Sequence, residues 1–152
     1  MHLGTKGRYA VMAMTDLARQ QAACGHDGPR GVALAEIAAR QEISLSYLEQ
    51  LFARLRRKGL VTSARGPGGG YRLALEAEAT TIADIVAAVD EPLRATRCGA
   101  GVAKHGCMTG GVKCLTHDLW AEMGRRMHEY LASVSLADVL AGKLKPGLAE
   151  AA

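Results

Sequence analysis

No run of apolar residues in this chain approaches the ~18 needed to cross a membrane as a helix, although 49% of its 152 residues are hydrophobic. The opening stretch, MHLGTKGRYAVMAM, has neither the apolar core nor the small-residue cleavage site of a secretory signal. The expectation is a cytoplasmic protein with no membrane partner, in which the four cysteines are thiols or metal ligands rather than disulfides. No Gly-x-x-x-x-Gly-Lys-Ser/Thr motif occurs, and no helix start follows the GPGGG run at 66–70, which sets aside a phosphate-cradling nucleotide loop. No carboxylate pair, and no nucleophile with a base at short motif spacing, points to an enzyme. Repeats and low-complexity tracts are also missing. The length allows one good core, or two small ones that lean on each other.

Acidic residues are absent from Arg54 to Arg72, a stretch that holds six basic ones. Net charge is +4 overall, and it lies in one half: residues 1–80 carry 11 Lys/Arg against 7 Asp/Glu, whereas residues 81–152 carry 8 against 8. This assigns a nucleic-acid partner to the first half. Leu48, Leu51, Phe52 and Leu55 recur at helical spacing and form one buried stripe. Ser46, Tyr47, Glu49, Gln50, Arg54 and Arg57 fall on the polar side, and Lys58-Gly59 is a helix stop. Tyr71, Leu73 and Leu75 then alternate with Arg72 and Ala74 as a strand does. Between them the glycines around Pro67 let a tip carrying Arg65 approach a surface. A helix with hydrogen-bonding side chains followed by a basic wing suits a groove and a phosphate backbone. The bland reading of GPGGG is a flexible linker or a hairpin tip; the basic helix before it and the alternating strand after it favour DNA binding over a linker.

Upstream, Ala10, Ala13, Met14, Leu17 and Ala18 predict a helix from about Thr5 to Ala23. Val32, Leu34, Ile37 and Ala38 predict a short second helix ending near Arg40, with a turn at Gln41–Ile43. Either Ser44 or Ser46 can cap the third helix. Ser46 would engage Glu49 in a capping box, whereas Ser44 would leave Glu49 free and pair Ile43 with Leu48 as a staple. Downstream, Thr80 or Thr81 opens a helix on Ile82, Ile85, Val86 and Val89. From Thr116 a long helix carries Leu119, Met123, Met127, Tyr130, Leu131 and Val134 on one stripe. At about 18 residues it would span ~27 Å, too long to cover only its own small domain, so it is expected to pack on a second subunit. Ser135-x-x-Asp138 starts a last short helix. The fold class is mainly α with a small β wing: a winged helix-turn-helix over 1–77, then a cluster-binding loop and dimerisation region over 78–152.

Residues 93–114 have no periodicity and contain five glycines and three of the four cysteines. Cys98, Cys107 and Cys114, with His117 three residues on, concentrate metal-ligand chemistry in one loop. Arg94, Arg97, Lys104 and Lys113 stand close by. Three Cys and one His suit structural zinc, but no close Cys-x-x-Cys pair is present. The wide spacing suits an iron–sulfur cluster instead, whose ligands reach two irons from different sides. Metal-free reactive thiols remain the plain alternative.

The strings GRYAVMAM at 7–14, ISLSYLEQLFARLRRKGLV at 43–61, RGPGGGY at 65–71, AVDE at 88–91, ATRC at 95–98 and KCLTHDLW at 113–120 carry a resemblance over nearly the whole chain. It resembles the Rrf-type winged-helix regulators, in their IscR-type iron–sulfur branch. The resemblance implies a homodimeric transcription factor that binds a double-stranded DNA operator. It implies a [2Fe–2S] cluster on Cys98, Cys107, Cys114 and His117, supplied by the cluster-assembly machinery, and control of cluster-assembly genes, usually by repression. DNA contact would fall on Ser46, Tyr47, Glu49, Gln50 and Arg54 of the helix, and on Arg65, Gly66, Gly68, Gly69 and Tyr71 of the wing. Gln can read adenine, Glu can accept from cytosine N4, and Arg65 can enter a minor groove. The loop departs from the family's five-residue spacing, with eight residues between Cys98 and Cys107 and six between Cys107 and Cys114. The longer loop brings His105 near the site, as a solvated side chain or a substitute ligand. The alternatives are a nitric-oxide or redox sensor with another cluster type, and a redox or metal-handling protein with no DNA role.

Overall fold

The computed structural model describes residues 4–24, 30–89, 107–108 and 111–144. Cys98, His105, Arg94, Arg97, Lys104, Pro92 and the tail beyond Leu144 lie outside the described residues. Helix α1 (Thr5–Cys24) is followed by α2 (Leu34–Gln41), α3 (Leu45–Arg57), strands β1 (Val61–Ala64) and β2 (Gly70–Leu73), α4 (Ile82–Ala88), α5 (His117–Ala132) and α6 (Leu136–Leu140). The order agrees with a helix-turn-helix and wing followed by further helices.

Helix α1 is the central element. Its stripe of Ala10, Ala13 and Ala18 with Met14 and Leu17 is buried, and α1 packs against α2, α3, α4, α6 and β2. Small side chains let five neighbours approach one helix, at a modest loss of apolar area per residue. A buried carboxylate ties α1 to α2. Asp16, only 2% exposed, accepts two-pronged hydrogen bonds from Arg40, Nε at 3.0 Å and Nη2 at 2.8 Å on Oδ2, and Arg19 adds 3.1 Å on Oδ1. The Asp16 carboxylate holds the Arg40 guanidinium above its ordinary pKa, chiefly through that hydrogen bonding.

The helix-turn-helix turn passes through Glu42, in left-handed backbone at φ 54°. Ser44 is the cap of α3, and its hydroxyl accepts the Tyr47 amide at 3.2 Å. Ile43 and Leu48 are both buried, as the Ser44 alternative requires. At the other end Gly59, φ 75°, closes a Schellman motif: Gly59 N–H donates to Arg56 O and Leu60 N–H to Leu55 O, both at 3.0 Å. Leu60 and Leu55 are both buried, so the motif seals the helix end and aims β1 away from it.

The wing is one antiparallel pair with Val61 opposite Leu73 and Ala64 opposite Gly70. Val32, expected in the second helix, instead pairs with Tyr71 as an isolated bridge. Its N–H donates to Tyr71 O at 2.9 Å, and it accepts Tyr71 N–H at 2.8 Å. A β-branched residue just before a helix start adds strand-like pairing to the wing. Gly31 N–H donates to Gly68 O at 2.9 Å. The close approach requires glycine on both sides: a Cβ on Gly31 would lie 2.7 Å from the Gly70 carbonyl carbon, and one on Gly70, whose φ is 134°, would lie 2.7 Å from Val32 O. Leu75, expected to continue the strand, is half exposed beyond its end. The chain turns there because Ala74 N–H reaches back to Leu60 O.

Two capping boxes sit side by side. Thr81 with Asp84 opens α4, and Ser135 with Asp138 opens α6. Ile82 N–H donates to Val134 O and Leu136 N–H to Thr80 O, which joins the two helix starts. The stripe expected on α5 divides. Val134, just past its end, is buried and Leu131 packs on the core, while Leu119 and Tyr130 stay 59% and 46% exposed. Helix α5 packs on α4, and its outer side carries Arg125 paired to Glu122 and Glu129, with Arg126 on Glu122 at 2.7 Å. Hydrogen bonds from Arg125 and Arg126 hold the Glu122 carboxyl down to about 2.

Candidate nucleic-acid interface and thiol site

With Ser44 as the cap, Glu49 makes no capping bond. Ser46, Glu49 and Gln50 are exposed on the first two turns of α3, a row of one hydroxyl, one carboxylate and one amide that can meet base edges. Tyr47 is half-buried, with its ring edge-on to Tyr9 at 6.0 Å. Tyr71 is half-buried against Phe52, with centroids 5.0 Å apart. Both tyrosines therefore spend most of their ring surface on packing within the fold. Arg54 is turned from the exposed row towards α4, where it donates to Val89 O at 3.2 Å.

Arg65, Gly66 and Gly68 are exposed at the wing tip, and Gly69 is half-buried. A Cβ on Gly69 would lie 2.5 Å from Ala64 O, so this glycine serves the tip's own turn. Arg56 donates to Ser63 Oγ at 3.1 Å and bridges the end of α3 to β1. With exposed Arg57 and Lys58 it extends a basic ridge from α3 to the wing.

The Tyr9–Tyr47 contact also brings the first turns of α1 beside the start of α3. Lys6 and Arg8 are exposed there, with the Arg8 guanidinium 5.9 Å from the Tyr9 ring centre. Sequence reasoning did not single out either cation. A lone Lys-Gly-Arg in a distant helix carries no local signal of what it neighbours.

At the start of α5, Cys107 Sγ lies 3.5 Å from His117 Nδ1. The Cys114 amide donates to the same sulfur at 3.0 Å, and His117 N–H donates to Cys114 O at 3.0 Å. His117 begins α5 and is 6% exposed; both cysteines are half-buried. Cys114 Sγ faces Thr116 Oγ1 at 3.8 Å. Among the described residues, Cys107 and His117 are brought together and no set of three side-chain donors converges on one metal position. A thiol and an imidazole in contact, with an amide aimed at the sulfur, is donor chemistry that fits iron or zinc. The packing of the imidazole fixes its orientation as a ligand requires.

The pattern of the Rrf2 family, described as iron-dependent transcriptional regulator, matches residues 3–142. The chain is 50% identical to the HTH-type transcriptional regulator IscR of Erwinia tasmaniensis over 92% of its own length and 79% of that protein. It is 51% identical to the regulator of the same name from Yersinia enterocolitica, with the same coverage. Among solved structures it resembles T. potens IscR at TM-score 0.69, with 34% identity over 99% of this chain and 94% of that one. It also resembles CymR (YrzC), the global cysteine regulator of B. subtilis, at TM-score 0.73, with 30% identity over 93% and 98%. These likenesses set aside an enzyme and a metal-handling protein without a DNA role: the chain belongs to the Rrf2 family of iron-dependent transcriptional regulators.

Proposed function

We propose that this regulator senses iron–sulfur supply as a cytoplasmic homodimer. It holds a [2Fe–2S] cluster through Cys98, Cys107, Cys114 and His117, receives it from the assembly machinery, and represses cluster-assembly genes at a double-stranded operator. The observation that carries the reading is the contact between Cys107 Sγ and His117 Nδ1 at 3.5 Å. It joins two candidate ligands from either side of a turn at the head of α5. Bound there, the cluster supplies a ligation state that follows iron and sulfide availability, with one-electron redox chemistry. Cys107, Cys114 and His117 bind and orient. The division of labour is DNA reading over 1–77, and ligation and pairing over 78–152. The exposed Leu119 and Tyr130 of α5, with Leu115 preceding it, support pairing with a second copy, since large apolar side chains left in water favour burial in an interface.

The thiol site and α3 are joined through α4. His117 is the first residue of α5, α5 packs on α4, and Arg54 of the reading helix holds Val89 O at the end of α4. A bond that fixes the His117 ring therefore bears on an element that α3 grips. Linkage requires DNA and ligand to influence each other's affinity equally.

Reading of bases falls to Ser46, Glu49 and Gln50, with Arg65 in a minor groove and Gly66, Gly68 and Gly69 shaping the tip; Lys6 and Arg8 add phosphate contacts. Glu49→Ala is expected to raise affinity for non-preferred sites, where the carboxylate repels phosphate with no base contact to offset it. It should also reduce discrimination at one base pair by about 1–3 kcal/mol, read by anisotropy on operator variants at fixed salt. Unchanged affinity and unchanged site choice would sink the role of Glu49.

The test of the whole reading is anaerobic purification with iron, sulfide and zinc counts and a visible spectrum. About two irons and two sulfides per subunit support it. One zinc and no colour overturn the cluster assignment but leave the DNA-binding half intact. Four irons per subunit point to another cluster type.

A further inference from the structure

Thr116 occupies the N-cap of α5 yet makes no capping hydrogen bond, although a threonine there normally accepts an amide from the first turn, worth about 1 kcal/mol. Its oxygen accepts a different donor: Trp120 Nε1–H, at 3.0 Å. The indole can only donate, so the direction of this bond is fixed. It occupies a lone pair of Thr116 Oγ1 and leaves the hydroxyl proton to point elsewhere. Cys114 Sγ lies 3.8 Å from Oγ1, where either atom can donate while the sulfur is a thiol, and a ligating thiolate can only accept.

We propose that Trp120 and Thr116 form a positioning relay that directs one O–H donor onto Cys114 Sγ and thereby sets the redox potential of the group ligated there. The proposal rests on the reading of Cys114 as a cluster ligand. Hydrogen bonds to ligating sulfur stabilise the more electron-rich state and raise the potential. Neighbouring Cys107 Sγ already receives the Cys114 amide, so each of the two sulfurs has a donor of its own. The relay also accounts for the missing cap. The threonine gives up a helix-end bond, and the helix keeps the Trp120 amide on Thr116 O at 3.2 Å.

Two measurements test it. The chain has one tryptophan, so 15N-labelled metal-free protein gives a single indole N–H resonance. Thr116→Val should shift that resonance and speed its exchange with water, and Thr116→Ser should leave it in place. In anaerobically reconstituted protein, a dye-mediated titration reads the potential. At the wild-type midpoint, Thr116→Val should raise the oxidised-to-reduced ratio by about three- to tenfold, where tenfold is 59 mV for one electron. Thr116→Ser should stay within about twofold, and Trp120→Phe should fall between, because the Thr116 hydroxyl remains but is free to turn. An indole resonance that Thr116→Val does not move overturns the relay. So does a potential that neither Thr116→Val nor Trp120→Phe moves in a protein whose Cys114→Ser variant loses iron. A Cys114→Ser variant that keeps its full iron and spectrum overturns the ligand assignment, and the relay with it.

Discussion

Gly70→Ala is expected to destabilise the protein by about 3 kcal/mol and to weaken DNA binding at every site, whereas Gly66→Ala should cost only about 1 kcal/mol. Both glycines have positive φ, 134° and 92°, but a Cβ on Gly66 meets nothing within 4 Å while one on Gly70 meets the Gly31 and Val32 backbone at 2.7 Å. The clash cannot be relieved by turning a side chain. The wing must instead move off Val32 and lose the pair of backbone bonds between Val32 and Tyr71. Gly31→Ala should reproduce the effect without a strained φ, since its added carbon would lie 2.7 Å from Gly70. Urea unfolding and operator titration measure both consequences. Equal small effects at positions 31, 66 and 70 would return the glycine run to the status of a flexible loop.

Arg40→Ala is expected to cost about 3 kcal/mol, which for a chain of this size lowers Tm on the order of 10 °C. The reason is the fully buried Asp16 side chain that Arg40 grips with two nitrogens. Among the described residues, removing the cation leaves the carboxylate with only Arg19, whose side chain is mostly in water. The reverse deletion, Asp16→Ala, should cost less, about 2 kcal/mol, because the stranded Arg40 lies near the surface and can swing into solvent. Thermal unfolding of the two single variants and the double variant gives the coupling directly. A larger loss for Asp16→Ala than for Arg40→Ala would contradict this account. Because the pair sets α2 against α1, and α2 sets the turn into α3, both variants should also weaken operator binding.

The linear order of residues determined much of this protein. The stripe of Leu48, Leu51, Phe52 and Leu55 is a local periodicity, and all four are buried. The Lys58-Gly59 stop, the Ser135-x-x-Asp138 box and the pairing of the two wing strands are also set within a few residues, where local geometry leaves few alternatives. The family itself was legible from long strings such as KCLTHDLW, whose match the Rrf2 pattern bears out at the level of an iron-dependent regulator.

Tertiary structure decided what depends on residues far apart in the chain. Whether Ser44 or Ser46 caps α3 is ambiguous by spacing, and the buried Ile43 and Leu48 settle it by fixing where the helix enters the core. Val32 belongs by composition to a helix stripe, and only the approach of Gly70 to Gly31 makes it a partner of the wing. The Asp16–Arg40 clamp, the Tyr9–Tyr47 contact that sets Lys6 and Arg8 beside the reading helix, and the bond of Arg54 to Val89 join distant stretches. No periodicity announces them, because side chains that meet across a core need share no pattern along the chain. At the thiol site the division is finer: cysteine count and loop composition locate it, the contacts of Thr116 with Trp120 and Cys114 are local, and the closing of the loop sets the His117 ring against Cys107.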